Sequence, residues 1–242
     1  MDHLHATPAP RVRRTRAEQK RETRDALTVA ALVAFTRDGY HGASLEQIAT
    51  EAGFSKGAVY SNFGGKAELF LAVMDHTLTT LRGADWDPLA GQEGEGGGAE
   101  GADPDPGRGE DDAEEMMRGF GLATLEFVAS AARDDTLRRA LAERVRVLLD
   151  AYGRVAARSR PADDDLPVED VARLMAALDQ GVSVLVLSGV AEVDGALLRT
   201  GLRRLLSPSA TAEPPPPKRG PHTPPLPDTE RVHRLLPTPI DP

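Results

Sequence analysis

Residues 44–66 read SLEQIATEAGFSKGAVYSNFGGK, and this stretch predicts two short helices joined by a tight turn. Leu45, Ile48, Ala49 and Ala52 fall at i, i+3, i+4 and i+7, which is one apolar face of a helix. Ser44 precedes that face with Gln47 three residues later, the pattern of a capping box whose two side chains satisfy orphan N–H groups of the first turn. Gly53 takes a backbone bend that a side chain would resist, and Ser55 is a suitable N-cap for the second helix. In that second helix Val59 and Phe63 supply one buried edge. Ser55, Lys56, Gly57, Ala58, Tyr60, Ser61 and Asn62 leave the remaining surface small, polar or basic. Such a surface approaches a major groove closely and still donates hydrogen bonds, so the pattern points to duplex DNA.

On the N-terminal side, Leu27, Ala30, Ala31, Ala34 and Phe35 mark a helix that ends at Asp38 with Gly39 as its C-cap. On the C-terminal side, a helix after Lys66 carries Phe70, Val73, Met74, Leu78 and Leu81 on its apolar face. Residues 17–82 are therefore expected to form four helices with short connections around one core. Residues 1–16 read as a disordered basic arm ending in RVRRTR. From Arg11 to Arg24 seven basic residues stand against two acidic ones, either as a solvated face or as phosphate contacts.

The chain has 242 residues and a formal charge of −9, but the acidity is local. Residues 84–115 hold 12 Asp/Glu, one Arg and eight glycines, whereas residues 1–82 carry a net +2 and residues 116–242 balance. The pI of about 5.2 therefore says little about the DNA-facing end. With few apolar residues besides Trp86 and Leu89, the span 83–115 cannot offset its ordering entropy by burial and reads as a flexible acidic linker or insert. Its carboxylates form either an inert spacer or a competitor for the basic face at low salt. The acids that close it, Asp111, Asp112, Glu114 and Glu115, suit the first turn of a following helix.

The absence of cysteine excludes disulfides, thiolate zinc sites and cysteine nucleophiles. His41 and His76 stand alone, and no acid pair or phosphate loop emerges, so neither an enzyme, a metal nor a cofactor is expected. No secretory signal is recognisable, and the longest apolar segment, Val182–Val193, is interrupted by Ser188, Gly189 and Glu192. A cytoplasmic protein is the expectation.

Residues 116–206 are helical in pattern throughout, with Phe120–Arg133 as one helix. Asp134–Arg160 reads as a short helix running into a longer one, with Val145, Leu148, Leu149, Tyr152 and Ala156 facing inward, and Pro161 ends it. Pro167 opens a helix in which Val171, Leu174, Met175, Leu178, Val182, Leu185, Val186 and Gly189 form one stripe. Ala177, Gly181, Val184 and Ser188 form a second, smaller one beside it. Asp194 is placed to cap a final helix carrying Leu198, Leu202 and Leu205. A helix apolar on two sides is either a central core helix or, with the final helix, half of a four-helix dimer seam. Residues 207–242 contain 12 prolines and read as a disordered or polyproline-like tail.

The first-helix pattern followed by SLEQIATEAGFSKGAVYSNFGGKAELF resembles the DNA-binding domain of the tetracycline-repressor (TetR) family of bacterial transcriptional regulators. The likeness is strong over residues 17–82, diffuse over 116–206 and absent from the linker and tail. It implies an all-α homodimer with an N-terminal helix-turn-helix domain and a C-terminal helical bundle for ligand binding and dimerisation. Paired recognition helices would enter successive major grooves of an inverted-repeat operator, about 34–36 Å apart. Carried over by position, Lys56, Gly57, Tyr60 and Ser61 would face bases or nearby backbone, and Ser44, Ser55, Tyr60, Asn62 and Lys66 would hold phosphates. The resemblance further implies a repressor released from its operator by a small-molecule effector. The abundance of Leu, Val and Ala suggests an apolar or amphipathic effector, with Phe120, Phe127, Tyr152 and Met175 as candidate lining residues. A helical dimerisation scaffold without specific DNA binding is the alternative. The long insert lies where the family usually has a short connection.

Overall fold

The computed structural model describes residues 15–79, 82, 86–89, 106–161 and 165–207, and of residues 106–114 the backbone alone. The expectations for the basic arm before Thr15, for Leu81, for most of the acidic insert and for the proline-rich tail fall outside these residues. The described residues form eight helices and no strand. They are α1 (Arg16–Gly42), α2 (Leu45–Glu51), α3 (Lys56–Asn62), α4 (Lys66–Thr77), α5 (Pro106–Ala131), α6 (Asp135–Ser159), α7 (Val168–Leu187) and α8 (Gly195–Leu206).

Helix α1 begins earlier than its apolar periodicity indicates, because Thr15 and Glu18 form a reciprocal capping box. Thr15 Oγ1 accepts from the Glu18 amide, and the Thr15 amide donates to the Glu18 carboxylate at 2.7 Å. The helix breaks where the sequence places its end, at Gly39, whose φ of 73° lies in the left-handed region. The capping box expected at Ser44 does not form. Gln47 instead donates to Glu51 at 3.0 Å.

Two further expectations are corrected by packing. Helix α5 starts at Pro106, so the C-terminal part of the span read as linker is helical. Trp86 and Leu89 also pack on the protein: Trp86 stands edge-on to Tyr152 at 5.1 Å, and the Leu89 carbonyl accepts from Arg203 at 3.1 Å. These apolar contacts were invisible against the segment's acidic, glycine-rich composition. Residues 135–159 are one continuous helix, with Asp134 capping the Thr136 and Leu137 amides. Val145, expected inward, is exposed.

There are two hydrophobic cores, and they do not divide where the sequence changes character. The first unites α1 to α4 with Ala123, Phe127 and Ala131 of α5. Its centre is an aromatic cluster in which Phe70 meets Phe35 at 4.9 Å and Phe127 at 4.7 Å, while Tyr40 meets Phe127 at 5.1 Å. Each fully buried ring contributes roughly 1.5–3 kcal/mol, and each favourable ring pair about 1 kcal/mol more. The second core joins Tyr152, Val155 and Ala156 of α6 to Val171, Ala172, Met175 and Ala176 of α7 and to Leu202 and Leu206 of α8. Helix α5 therefore belongs physically to the N-terminal helices.

Helices α1 and α5 approach closely at Gly119, where a Cβ would lie 2.3 Å from the Thr36 carbonyl oxygen. Backbone cannot yield as a flexible side chain would. Gly119→Ala is expected to destabilise the protein by roughly 1–3 kcal/mol. A lowered chemical-denaturation midpoint would show this; an unchanged midpoint would mean that α5 is not seated against α1.

Candidate nucleic-acid interface

Helix α2 buries Ile48 and Ala49. The chain then reverses through Gly53 at φ 77°, closed by the Phe54 amide donating to the Ala49 carbonyl at 2.8 Å. Helix α3 buries one residue of its own, Val59, and its C-cap Phe63 is 1% exposed in the first core. Those two side chains set the rotation of α3 and leave its remaining face in solvent.

Ser44, Ser55, Lys56, Gly57, Tyr60 and Ser61 are all exposed, Tyr60 by 54%. Ser44 and Ser55 occupy the N-cap positions of α2 and α3 without a side-chain capping bond. The Lys56 ammonium lies 3.4 Å from Glu46 in an exposed pair, which costs little to open. Ser61 donates back to the Ala58 carbonyl at 3.0 Å. At Gly57 a Cβ would meet nothing nearer than Ser55 Oγ at 3.6 Å, an ordinary contact. Packing inside the protein therefore does not require glycine there.

Residues 27–73, from within α1 to within α4, match the sequence model of the bacterial regulatory proteins of the tetR family. The likeness to the bacterial regulatory proteins of the tetR family covers these 47 of the 242 residues.

Curated relatives include the HTH-type transcriptional repressor NicS of Pseudomonas putida (strain KT2440), 36% identical over 70 residues that make up 29% of this chain and 33% of NicS. The transcriptional activator FasR of Mycolicibacterium smegmatis is 39% identical over 74 residues, 31% of this chain and 34% of FasR. The chain thus spans about a third of the length of these relatives, 33% and 34%. A solved structure from Rhodococcus sp., described as a TetR-family transcriptional regulator, shares the fold at 22% identity and a TM-score of 0.51, over 76% of this chain and 95% of that one.

Two of the tetR-type contact positions expected from the resemblance are engaged internally. Asn62 is half-buried, and its amide donates to the Ala58 carbonyl at 2.8 Å, folding the side chain back on its own helix. Lys66 donates to the His41 carbonyl at 2.7 Å and lies 5.4 Å from the Tyr40 ring centre. Burial lowers its pKa, and the charge of Glu126 opposes that shift. Both side chains thus have partners within the protein. The start of α4, expected to be loose after Gly64 and Gly65, is closed by Glu68, which accepts from the Gly64 amide at 2.7 Å.

Lys66 is one member of a junction with α5 that sequence reasoning missed. Glu126 accepts from the His41 amide at 2.9 Å, and its carboxylate fills the space beside Gly39, 2.7 Å from where a Cβ would stand. Ser130 Oγ lies 3.3 Å from His41 Nε2. A second tie is the ion pair from Arg144 of α6 to Asp75 of α4. Glu126, Ser130 and Arg144 lie 69–89 residues along the chain from the groups they meet, so no local pattern announces these ties.

The expected effector-lining residues do not come together. Phe120 and Phe127 pack in the first core, whereas Tyr152 and Met175 are buried in the second. An open groove of about 530 Å³ between α6 and α7, lined in part by Arg146, Gly153, Val168 and Arg173, contains none of them. The expected dimer seam divides in the same way. Ala177, Gly181, Val184 and Ser188 are exposed along α7. Leu202 is fully buried within its own chain, with Leu198 and Leu205 packed against that core. Among the described residues no group of His, Asp or Glu is placed to hold a metal, and no helix is long and apolar enough to cross a membrane.

Gly57→Ala is expected to leave the unfolding midpoint unchanged or raise stability by about 0.5 kcal/mol, while weakening DNA binding about tenfold by blocking close approach. Equal affinity in a gel-shift titration would remove Gly57 from the interface. Lys56→Ala should reduce the salt dependence of binding by about one counterion. Lys66→Ala should leave that slope intact and lower the melting temperature instead.

Proposed function

We propose that the chain is a sequence-specific, double-stranded-DNA-binding transcriptional regulator that acts as a homodimer on an inverted-repeat operator. The observation that carries this reading is the outward face of α3. Lys56, Gly57, Tyr60 and Ser61 have no packing role in the protein, yet sit on a helix whose orientation is set by Val59 and Phe63. Lys56 and the Tyr60 hydroxyl donate to bases or adjoining phosphates, and Gly57 lets the backbone come close. Ser44 and Ser55 hold phosphates at the helix entrances and set register more than sequence preference.

Dimerisation uses the exposed stripe of α7, where Ala177, Gly181, Val184 and Ser188 lie beside the exposed Leu174, Leu185 and Val186. Small residues let two such helices approach, and the larger ones supply apolar area. Regulation follows from an effector that prefers the DNA-incompetent arrangement, and the ties from α5 and α6 to α1 and α4 are the route by which such a preference reaches α3. Both repressor and activator names occur among the curated relatives. We favour a repressor released by an apolar or amphipathic small molecule, working in the cytoplasm. The scaffold alternative leaves the exposed, unpacked face of α3 without a purpose.

Selecting bound fragments from genomic DNA with purified protein is expected to enrich an inverted repeat, and the Lys56→Ala/Tyr60→Ala variant should dimerise but enrich nothing. Absence of any enriched sequence with the wild-type chain at moderate ionic strength sinks the regulator reading. Retained enrichment by the double variant moves the contact surface off α3.

A further inference from the structure

We propose that Arg24 is a positioning residue for DNA recognition, holding the C-terminal end of α3 against α1 so that Tyr60 and Ser61 meet the groove at a fixed depth and angle. This rests on the DNA-binding reading above, and it gives Arg24 an indirect role, through α3 and not through contact with base or phosphate. Arg24 lies in α1, one turn before the buried Leu27 and Thr28. Its Nη1 donates to the Asn62 carbonyl, at the last residue of α3. Its guanidinium carbon stands 4.1 Å above the centre of the Phe63 ring.

Both contacts answer needs of α3. The final carbonyls of a helix lack intrahelical donors and form the negative end of its dipole, so a guanidinium there is favourable twice over. The Asn62 side chain, turned back to Ala58, leaves its Oδ1 buried without a partner and offers the main-chain carbonyl no help. Phe63 is the apolar anchor of this end, and the cation lies over its face. One planar group thus caps the helix and packs its anchor. Lysine, a point charge on a flexible stem, cannot do both. Arg24 is part-buried, unlike the exposed Arg16, Lys20 and Arg21 earlier on α1.

The test uses the full-length chain with Arg24→Gln and Arg24→Lys. In DNA-free protein, amide hydrogen exchange across residues 56–63 is expected to accelerate about tenfold or more in Arg24→Gln, the loss of one charge-assisted hydrogen bond, and less in Arg24→Lys. Peptides from α4 and α7 should exchange as in wild type. On an operator selected by the wild-type chain, affinity should fall about tenfold with the salt slope and non-specific affinity unchanged. Unaltered exchange in α3 overturns the proposal. So does a salt slope reduced by about one, which would make Arg24 a phosphate contact. Faster exchange in every helix of both variants overturns it too, by making Arg24 a general stabiliser. If the wild-type chain selects no DNA, the regulator reading fails, while the exchange result still decides whether Arg24 holds α3.

Discussion

A seven-residue helix has no independent stability in water, because nucleation costs more than so few hydrogen bonds return. Helix α3 exists because Val59 and Phe63 are inserted into a core built by other helices, and because Arg24 closes its last turn. The arrangement divides labour within seven residues. One edge is committed to packing, and the rest is left small, polar or basic. A recognition surface built this way keeps its geometry without using its own side chains to maintain it, so these are free to meet an external partner.

The same aromatic core ties that surface to the rest of the chain. Phe127 of α5 stacks on Phe70 of α4, so α5 takes part in the N-terminal core as fully as the helices before it. Around this cluster the polar contacts converge on one turn. Glu126 holds the His41 amide and crowds Gly39, Lys66 holds the His41 carbonyl, and Ser130 meets the imidazole. A shift of α5 along its axis would disturb the end of α1 and the start of α4 together, and α3 packs on α1 and leads directly into α4. The second core, formed by α6, α7 and α8, meets this assembly through Arg144 and Asp75.

Acidic composition misleads in this chain in two ways. The net charge of −9 conceals an N-terminal segment of net +2, and the insert's glycines and acids conceal Trp86 and Leu89, which pack on the second core. A segment average cannot describe a stretch in which two residues do the packing. At α8 the stripe Leu198, Leu202, Leu205 was legible as apolar, but periodicity does not say whether an apolar stripe meets its own chain or a second copy, and Leu202 meets its own.

Local pattern by itself determined the helical class, the pair α2 and α3, the turn at Gly53, the break at Gly39, and the cap at Asp194, because each depends on residues within one or two turns. It also identified Val59 and Phe63 as the buried edge of α3 and hence which residues face outward. Tertiary structure alone decided that Lys66 turns inward, that Arg24 reaches the end of α3, and that Glu126 holds the turn after α1. The reason is distance along the chain. A side chain's partner 38 or 85 residues away leaves no periodic trace, and a long polar side chain chooses between solvent and a buried carbonyl only when packing has brought that carbonyl within reach.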